Sequence, residues 1–175
     1  MMVVFHSELV VQFHTSIQRH SFATPLGVML MATTTRGLAG LWFEGQKHLP
    51  EFNEWPVNAN APWMKQTQHE IDDYFSDQRK KFDIPLDLQG GSEFQQSVWR
   101  SLLRIDFGQT LSYGQLSQNI GKPTAVRAVA NAVGRNPISL IVPCHRVLGA
   151  DQSLTGYAGG LDRKRALLVR EGVFA

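Results

Sequence analysis

The sequence contains a single cysteine, Cys144, among its 175 residues. One thiol cannot form an intrachain disulfide, and it excludes the paired cysteines of most structural zinc sites. We therefore expect no disulfide framework and no bound metal, and no motif indicates a cofactor.

Long hydrophobic runs are also missing. No stretch is long enough to span a bilayer, and the N-terminus lacks the basic leading region of a signal peptide and is interrupted by Glu8. We therefore expect a cytoplasmic protein that has no membrane partner. With 43% hydrophobic residues, the chain can bury one substantial core or two small ones.

The net charge is only +2, but it is unevenly distributed. Residues 1–85 hold seven Lys or Arg against nine Asp or Glu, whereas residues 86–175 hold ten against six. The halves therefore carry −2 and +4, which suits a C-terminal half that faces a polyanion.

The first 90 residues have the pattern of a small α+β domain. Apolar residues around 28–31 and 38–43 predict an antiparallel hairpin, and helical spacing from Trp63 to Phe75 predicts a helix that covers the sheet. Gly90 and Gly91 mark a boundary between domains at 1–90 and 91–175. No role is assigned to residues 1–18.

The second domain is predicted to be mostly helical. Ser92 with Gln95 and Ser112 with Gln115 have the capping-box spacing that starts a helix. The first helix is predicted to run to about Leu103, the second from Tyr113 to Ile120, and the third from Pro123.

The second and third helices have the form of a winged helix-turn-helix-like motif, although an ordinary amphipathic pair fits the same pattern. One side of the third helix is predicted to be buried through Val126, Val129, Ala130 and Val133. The opposite, exposed side is predicted to consist of Thr124, Arg127, Ala128 and Asn131, followed by Arg135, and these are the candidate DNA-binding residues. Its small residues favour a minor-groove approach, in which Arg127 inserts between base pairs, although a solvated surface arginine fits the same pattern.

Residues 141–148, IVPCHRVL, surround the cysteine with apolar residues and one histidine. An isolated cysteine is most often a small buried hydrophobe, but Pro143 predicts the end of a buried strand that presents Cys144 at its mouth. A thiol needs a base or a positive charge to react at neutral pH, which His145 and Arg146 could supply. Because sequence neighbours point to different sides, we expect His145 to act through a water and to be oriented by a carboxylate.

Together these features resemble the O6-alkylguanine-DNA alkyltransferases. The resemblance lies in residues 143–146 (PCHR), residues 135–137 (RNP), the helix with Arg127 and residues 157–161 (YAGGL), and it covers residues 92–175 in order. Residues 21–90 look like the variable N-terminal domain of that family.

The resemblance implies repair of double-stranded DNA that contains O6-alkylguanine, and it leaves open whether O4-alkylthymine is a further substrate. After minor-groove binding and nucleotide flipping, the alkyl group would pass irreversibly to Cys144, once per molecule. Such a protein is a methylated-DNA:protein-cysteine S-methyltransferase, expected to be a monomer whose copies can gather on DNA.

The resemblance also implies the roles of individual residues. His145 would be the base and Glu171 its orienting carboxylate, while Tyr113 and Lys164 would stabilise the departing guanine. Asn136 would tie the turn before the nucleophile. The pocket would be formed by Val147, Tyr157, Ala158 and Gly159.

Two other classes stay open at this point. A cysteine hydrolase would turn over many substrates. A helix-turn-helix binding protein or a sensor of alkylated bases would bind DNA without transfer, but sensor relatives replace the acceptor cysteine that this chain keeps.

Overall fold

The computed structural model describes residues 13–14 and 16–175. Most of the predicted segment at 1–18 lies outside the described residues. Within the described part, no helix is both long and apolar enough to cross a membrane.

A three-stranded antiparallel sheet opens the fold. Its strands, in spatial order, are β1 (Gln18–Thr24), β2 (Gly27–Thr33) and β3 (Leu38–Phe43). The predicted hairpin corresponds to β2 and β3, and β1 was missed. Helix α1 (Met64–Phe75) packs on the sheet through Met64, Ile71 and Tyr74, as the spacing predicted.

The C-terminal part contains four helices and a short parallel ribbon. They are α2 (Glu93–Leu102), β4 (Leu111–Ser112), α3 (Tyr113–Asn119), α4 (Val126–Gly134), β5 (Val147–Leu148) and α5 (Leu161–Arg170). Both predicted capping boxes are formed: Ser92 and Ser112 each accept from the backbone N–H three residues later, and Gln95 and Gln115 each return the bond.

The prediction that Pro123 opens the third helix was wrong. Residues 122–125 form a turn in which Ala125 N–H donates to the Lys122 carbonyl at 2.9 Å, and α4 begins at Val126. Thr124 is therefore exposed in the turn ahead of the helix. Val126, predicted to be buried, is 37% exposed, and the buried positions of α4 are Val129, Ala132 and Val133.

Strand β3 joins the two parts of the chain. Leu41 donates its N–H to the Pro137 carbonyl at 2.8 Å and accepts from Ser139 N–H at 2.7 Å. One hydrophobic cluster continues from the sheet through α2, α4 and the segment at Ile141 and Val142. The segment that leads to the cysteine is therefore anchored on the N-terminal sheet.

Candidate active site

Two consecutive tight turns present Cys144. The predicted buried strand before it is absent, because Leu140 has a φ of 72° and breaks the extended backbone. Pro143, with φ −82° and ψ 63°, forms an inverse γ-turn in which Cys144 N–H donates to the Val142 carbonyl at 2.8 Å. A 3₁₀ turn over Cys144–Arg146 follows and leads directly into β5.

Cys144 is 5% exposed, and its thiol is held by Asn136. Asn136 Nδ2 lies 3.0 Å from the Cys144 Sγ and 2.8 Å from the Val142 carbonyl, and its Oδ1 accepts from Ile138 N–H at 3.0 Å. Burial raises the pKa of the Cys144 thiol above its ordinary value and outweighs the hydrogen bond from Asn136 and the charge of Lys164, which both lower it. The thiol is therefore protonated at neutral pH and needs a base to react. An amide donor aimed at the sulfur stabilises a thiolate at this position.

Behind the thiol lies a fully buried network centred on Glu171. Its Oε1 accepts from His145 Nε2 at 2.8 Å, Tyr74 Oη at 2.9 Å and Arg146 Nη2 at 2.9 Å. Its Oε2 accepts from Arg146 Nε at 2.7 Å and Gly108 N–H at 3.3 Å. The carboxylate is thus saturated by donors and forms a bidentate pair with Arg146.

The network fixes the protonation state of His145. Burial opposes the charge of Glu171, but His145 and Arg146 outweigh it and lower its pKa to about 2. An ionised carboxylate only accepts, so the Nε2 of His145 carries the proton. Burial lowers the pKa of His145 despite the neighbouring carboxylate. The imidazole is therefore neutral at pH 7, and its buried Nδ1, which has no hydrogen-bond partner among the described residues, keeps a basic lone pair.

Lys164 is a buried cation that ties together the backbone around the thiol. Its Nζ donates to the carbonyls of Val147 at 2.5 Å, Thr155 at 2.7 Å and Gly156 at 3.3 Å. Burial lowers its pKa to about 8. All three donors of the ammonium are engaged, so its effect on the thiol is electrostatic and structural.

Cys144 lies in the lining of a cavity of about 160 Å³. Tyr113 lies at the start of α3, while Ala130, Val133 and Gly134 come from α4. Gly156, Tyr157 and Ala158 come from the segment held by Lys164. Burial raises the pKa of Tyr113, so its hydroxyl stays protonated at neutral pH and can donate. The cavity therefore combines a nucleophile, a proton donor and apolar walls.

Two predicted pocket residues lie behind the cavity lining. Val147 is fully buried in β5, where its carbonyl binds Lys164. Gly159 is buried against the Tyr157 ring, where an added Cβ would come within 2.7 Å of Tyr157 and 3.1 Å of Phe43. A larger residue at 159 would force the ring of Tyr157 or Phe43 to move, so Gly159 keeps the Tyr157 ring, which lines the cavity, in place.

The outer face of α4 is exposed at Arg127, Ala128 and Asn131, as the sequence predicted. Arg135 is half-buried just beyond the helix and has contacts within the protein. Because Ala130 and Val133 of the same helix line the cavity, the exposed face of α4 lies next to its mouth.

Sequence reasoning missed two members of the network. Tyr74 comes from α1 and is 97 positions from Glu171, so no local pattern could pair them. Arg146 was considered only as a cation for the thiol, yet it clamps Glu171 and donates to the Ile105 carbonyl at 2.6 Å. The PCHR motif places it there, one residue after His145.

Comparison with known proteins shows which family the chain belongs to. The family model described as 6-O-methylguanine DNA methyltransferase, DNA binding domain, matches residues 93–173, and that of the ribonuclease-like domain matches residues 17–88. The chain belongs to this methyltransferase family. The family and the fold class expected from the sequence are thereby confirmed.

Similar members of the family cover most of the chain. The methylated-DNA–protein-cysteine methyltransferase of Mycolicibacterium paratuberculosis is 43% identical over 155 residues, which cover 89% of this chain and 92% of the relative. The one from Methanosarcina acetivorans is 43% identical over 152 residues, with coverage of 86% and 96%. The crystal structure of Mycobacterium tuberculosis OGT in complex with DNA has a TM-score of 0.81 and 40% identity, covering 88% of this chain and 92% of that one.

Proposed function

We propose that this chain repairs double-stranded DNA by moving the alkyl group from O6 of guanine to Cys144 in one irreversible step. Transfer of a methyl group from DNA to a protein cysteine is the activity of the family to which the chain belongs. The observation that carries the assignment to Cys144 is its position in the cavity lining, with the Asn136 amide on its sulfur and the His145–Glu171 pair behind it.

Binding begins on the exposed face of α4. Arg127, Ala128 and Asn131 face the duplex with Thr124 and Arg135 beside them, and the small side chains allow close approach to the minor groove. Cys144 is only 5% exposed, so the O6 of a stacked guanine cannot reach it. The nucleotide therefore leaves the stack and enters the cavity, and Arg127 fills the gap.

The transfer is a single displacement at carbon. The thiol proton passes through a water to the lone pair of His145 Nδ1, and the thiolate attacks the alkyl carbon. A new S–C bond forms, the C–O6 bond breaks, and its electron pair moves to the guanine, which accepts a proton from the Tyr113 hydroxyl. No acyl intermediate arises, so neither a second nucleophile nor hydrolysis is required.

The remaining residues position these groups. Glu171 holds the proton on Nε2, so that Nδ1 stays basic. Lys164 lowers the pKa of the thiol through its charge and fixes both sides of the cavity through Val147, Thr155 and Gly156. Because its donors are engaged, Lys164 positions the site and does not itself deliver a proton to the guanine.

The test separates binding from transfer. Wild-type protein and Cys144→Ser are incubated with a duplex that carries one O6-[³H]methylguanine, with an unmodified duplex as the binding control. Both proteins should prefer the damaged duplex, but only the wild type should become labelled, with one methyl per molecule. Labelled Cys144→Ser, or a wild type that demethylates many duplexes per molecule, would overturn the proposal. Sedimentation of the free protein tests the expected monomer.

A further inference from the structure

The loop after β3 contributes to the wall of the cavity. Lys47 and His48, both exposed, line it together with Cys144. They belong to the N-terminal part of the chain, for which the sequence suggested no functional residues. The N-terminal sheet therefore reaches the site where the nucleotide enters.

The position of this loop is fixed. The buried side chain of Gln46 accepts from Phe43 N–H at 2.8 Å and from Ser139 Oγ at 3.2 Å. The backbone N–H of Lys47 donates to the Ala158 carbonyl at 3.0 Å, which joins the loop to the opposite segment of the cavity wall. His48 has a φ of 60°, a left-handed conformation that is uncommon outside glycine and that persists only when surrounding contacts hold it.

The charge at this position matches one part of the substrate. An extruded nucleotide places its base in the cavity and leaves its phosphodiester at the mouth, where Lys47 is exposed. Among the described residues that line the cavity, none is a carboxylate that could neutralise the lysine there. A lysine ammonium binds phosphate as a point charge.

We propose that Lys47 binds a backbone phosphate next to the extruded nucleotide, so that the N-terminal domain takes part in recognition of the flipped state. This inference rests on the proposed function. It predicts a contact to the sugar-phosphate backbone that is separate from those of α4.

Salt dependence and a neutral phosphate together test the contact. Affinity for a duplex with one O6-methylguanine is measured for the Cys144→Ser protein, which is the parent, and for the parent with Lys47→Ala or Lys47→Arg added. Lys65→Ala in the same parent is the matched control, because it removes an exposed lysine that does not line the cavity. The loss of one phosphate contact lowers the slope of log affinity against log salt by about 0.9. A fourfold rise in salt should therefore weaken Lys47→Ala about 3.5-fold less than the parent, while Lys47→Arg and Lys65→Ala should keep the parent slope.

Duplexes with a methylphosphonate on either side of the lesion then identify the partner. At one of the two positions the parent should lose affinity and Lys47→Ala should lose none, because the pair is already broken. Equal salt slopes, or equal methylphosphonate effects in both proteins, would overturn the role of Lys47. Failure of the proposed function is distinct, since the wild-type chain would then transfer no methyl group from any duplex.

Discussion

Glu171→Gln removes the negative charge that Tyr74, His145 and Arg146 share, while keeping the size of the side chain. The carboxylate accepts five hydrogen bonds, and an amide places an NH₂ group where one of its oxygens accepted from Arg146. Two donors then face each other, and a buried guanidinium loses its counter-charge. Both stability and chemistry should suffer.

The structure sets the size of the stability loss. The fall in the Glu171 pKa from 4.5 to about 2 corresponds to about 3 kcal/mol in favour of the ionised form. Removing one partner of a buried pair costs about 3–5 kcal/mol. For a chain of this size, about 3 kcal/mol lowers the melting temperature by about 6–12 °C.

The chemical effect follows from the tautomer of His145. Without an obligatory acceptor at Nε2, the proton can move to Nδ1 and remove the basic lone pair. The rate of single-turnover methyl transfer should then fall by about 10²–10⁴, the usual contribution of a general base. Tyr74→Phe is the matched control, because it removes one hydrogen bond to Glu171, costs about 1 kcal/mol and leaves the tautomer unchanged.

Calorimetry and rapid-quench transfer assays measure both effects. A Glu171→Gln protein that transfers methyl at the wild-type rate would refute the role of the His145–Glu171 pair. A melting temperature equal to that of the wild type would refute the stabilisation assigned to the buried network.

Four further predictions concern the pH dependence of transfer and of stability, the methylated state of Cys144, and Arg127. The transfer rate should be level near pH 7 and fall in acid with a midpoint below 6.5, because burial lowers the pKa of His145; a midpoint above 6.5 in a rate profile would contradict this. Folding stability should decline as pH falls from about 5 toward 2, because the pKa of Glu171 is lower in the folded state and the unfolded state therefore binds the proton first. Denaturant titrations that show no such decline would count against this. Methylation of Cys144 should lower the melting temperature, since the added methyl crowds Asn136 and costs about 1–3 kcal/mol; equal melting of free and methylated protein would disprove it. Arg127→Ala should slow transfer from duplex DNA much more than from a single strand, which competition assays can measure, and equal slowing would argue against gap filling.

Local chemistry made much of the helical part predictable. The capping boxes at Ser92 and Ser112 act within four residues, so the sequence alone locates the starts of α2 and α3. Strand β1 (QRHSFAT) was missed because its residues are largely polar and do not alternate clearly, so its pairing with β2 decides its structure. Proline at 123 suits a helix start, but the local turn at Lys122–Ala125 prevailed there.

The site was predictable only in part, because most of its contacts join segments that are far apart in the sequence. Cys144 and His145 are neighbours in a recognisable motif, whereas the contacts of Glu171 with Tyr74 and of Lys164 with three carbonyls depend on the folded arrangement of distant segments. The turns that present the thiol also depend on Leu140, whose backbone is left-handed. Sequence patterns do not predict that conformation for a leucine.

Transfer to Cys144 is measured by peptide mass spectrometry of the protein after incubation with an excess of duplex containing O6-methylguanine. We expect one added CH₂ on the peptide that contains Cys144, and one repaired duplex per protein molecule however long the incubation lasts. A methyl group on any other residue, or repair that continues beyond one equivalent, would contradict this expectation.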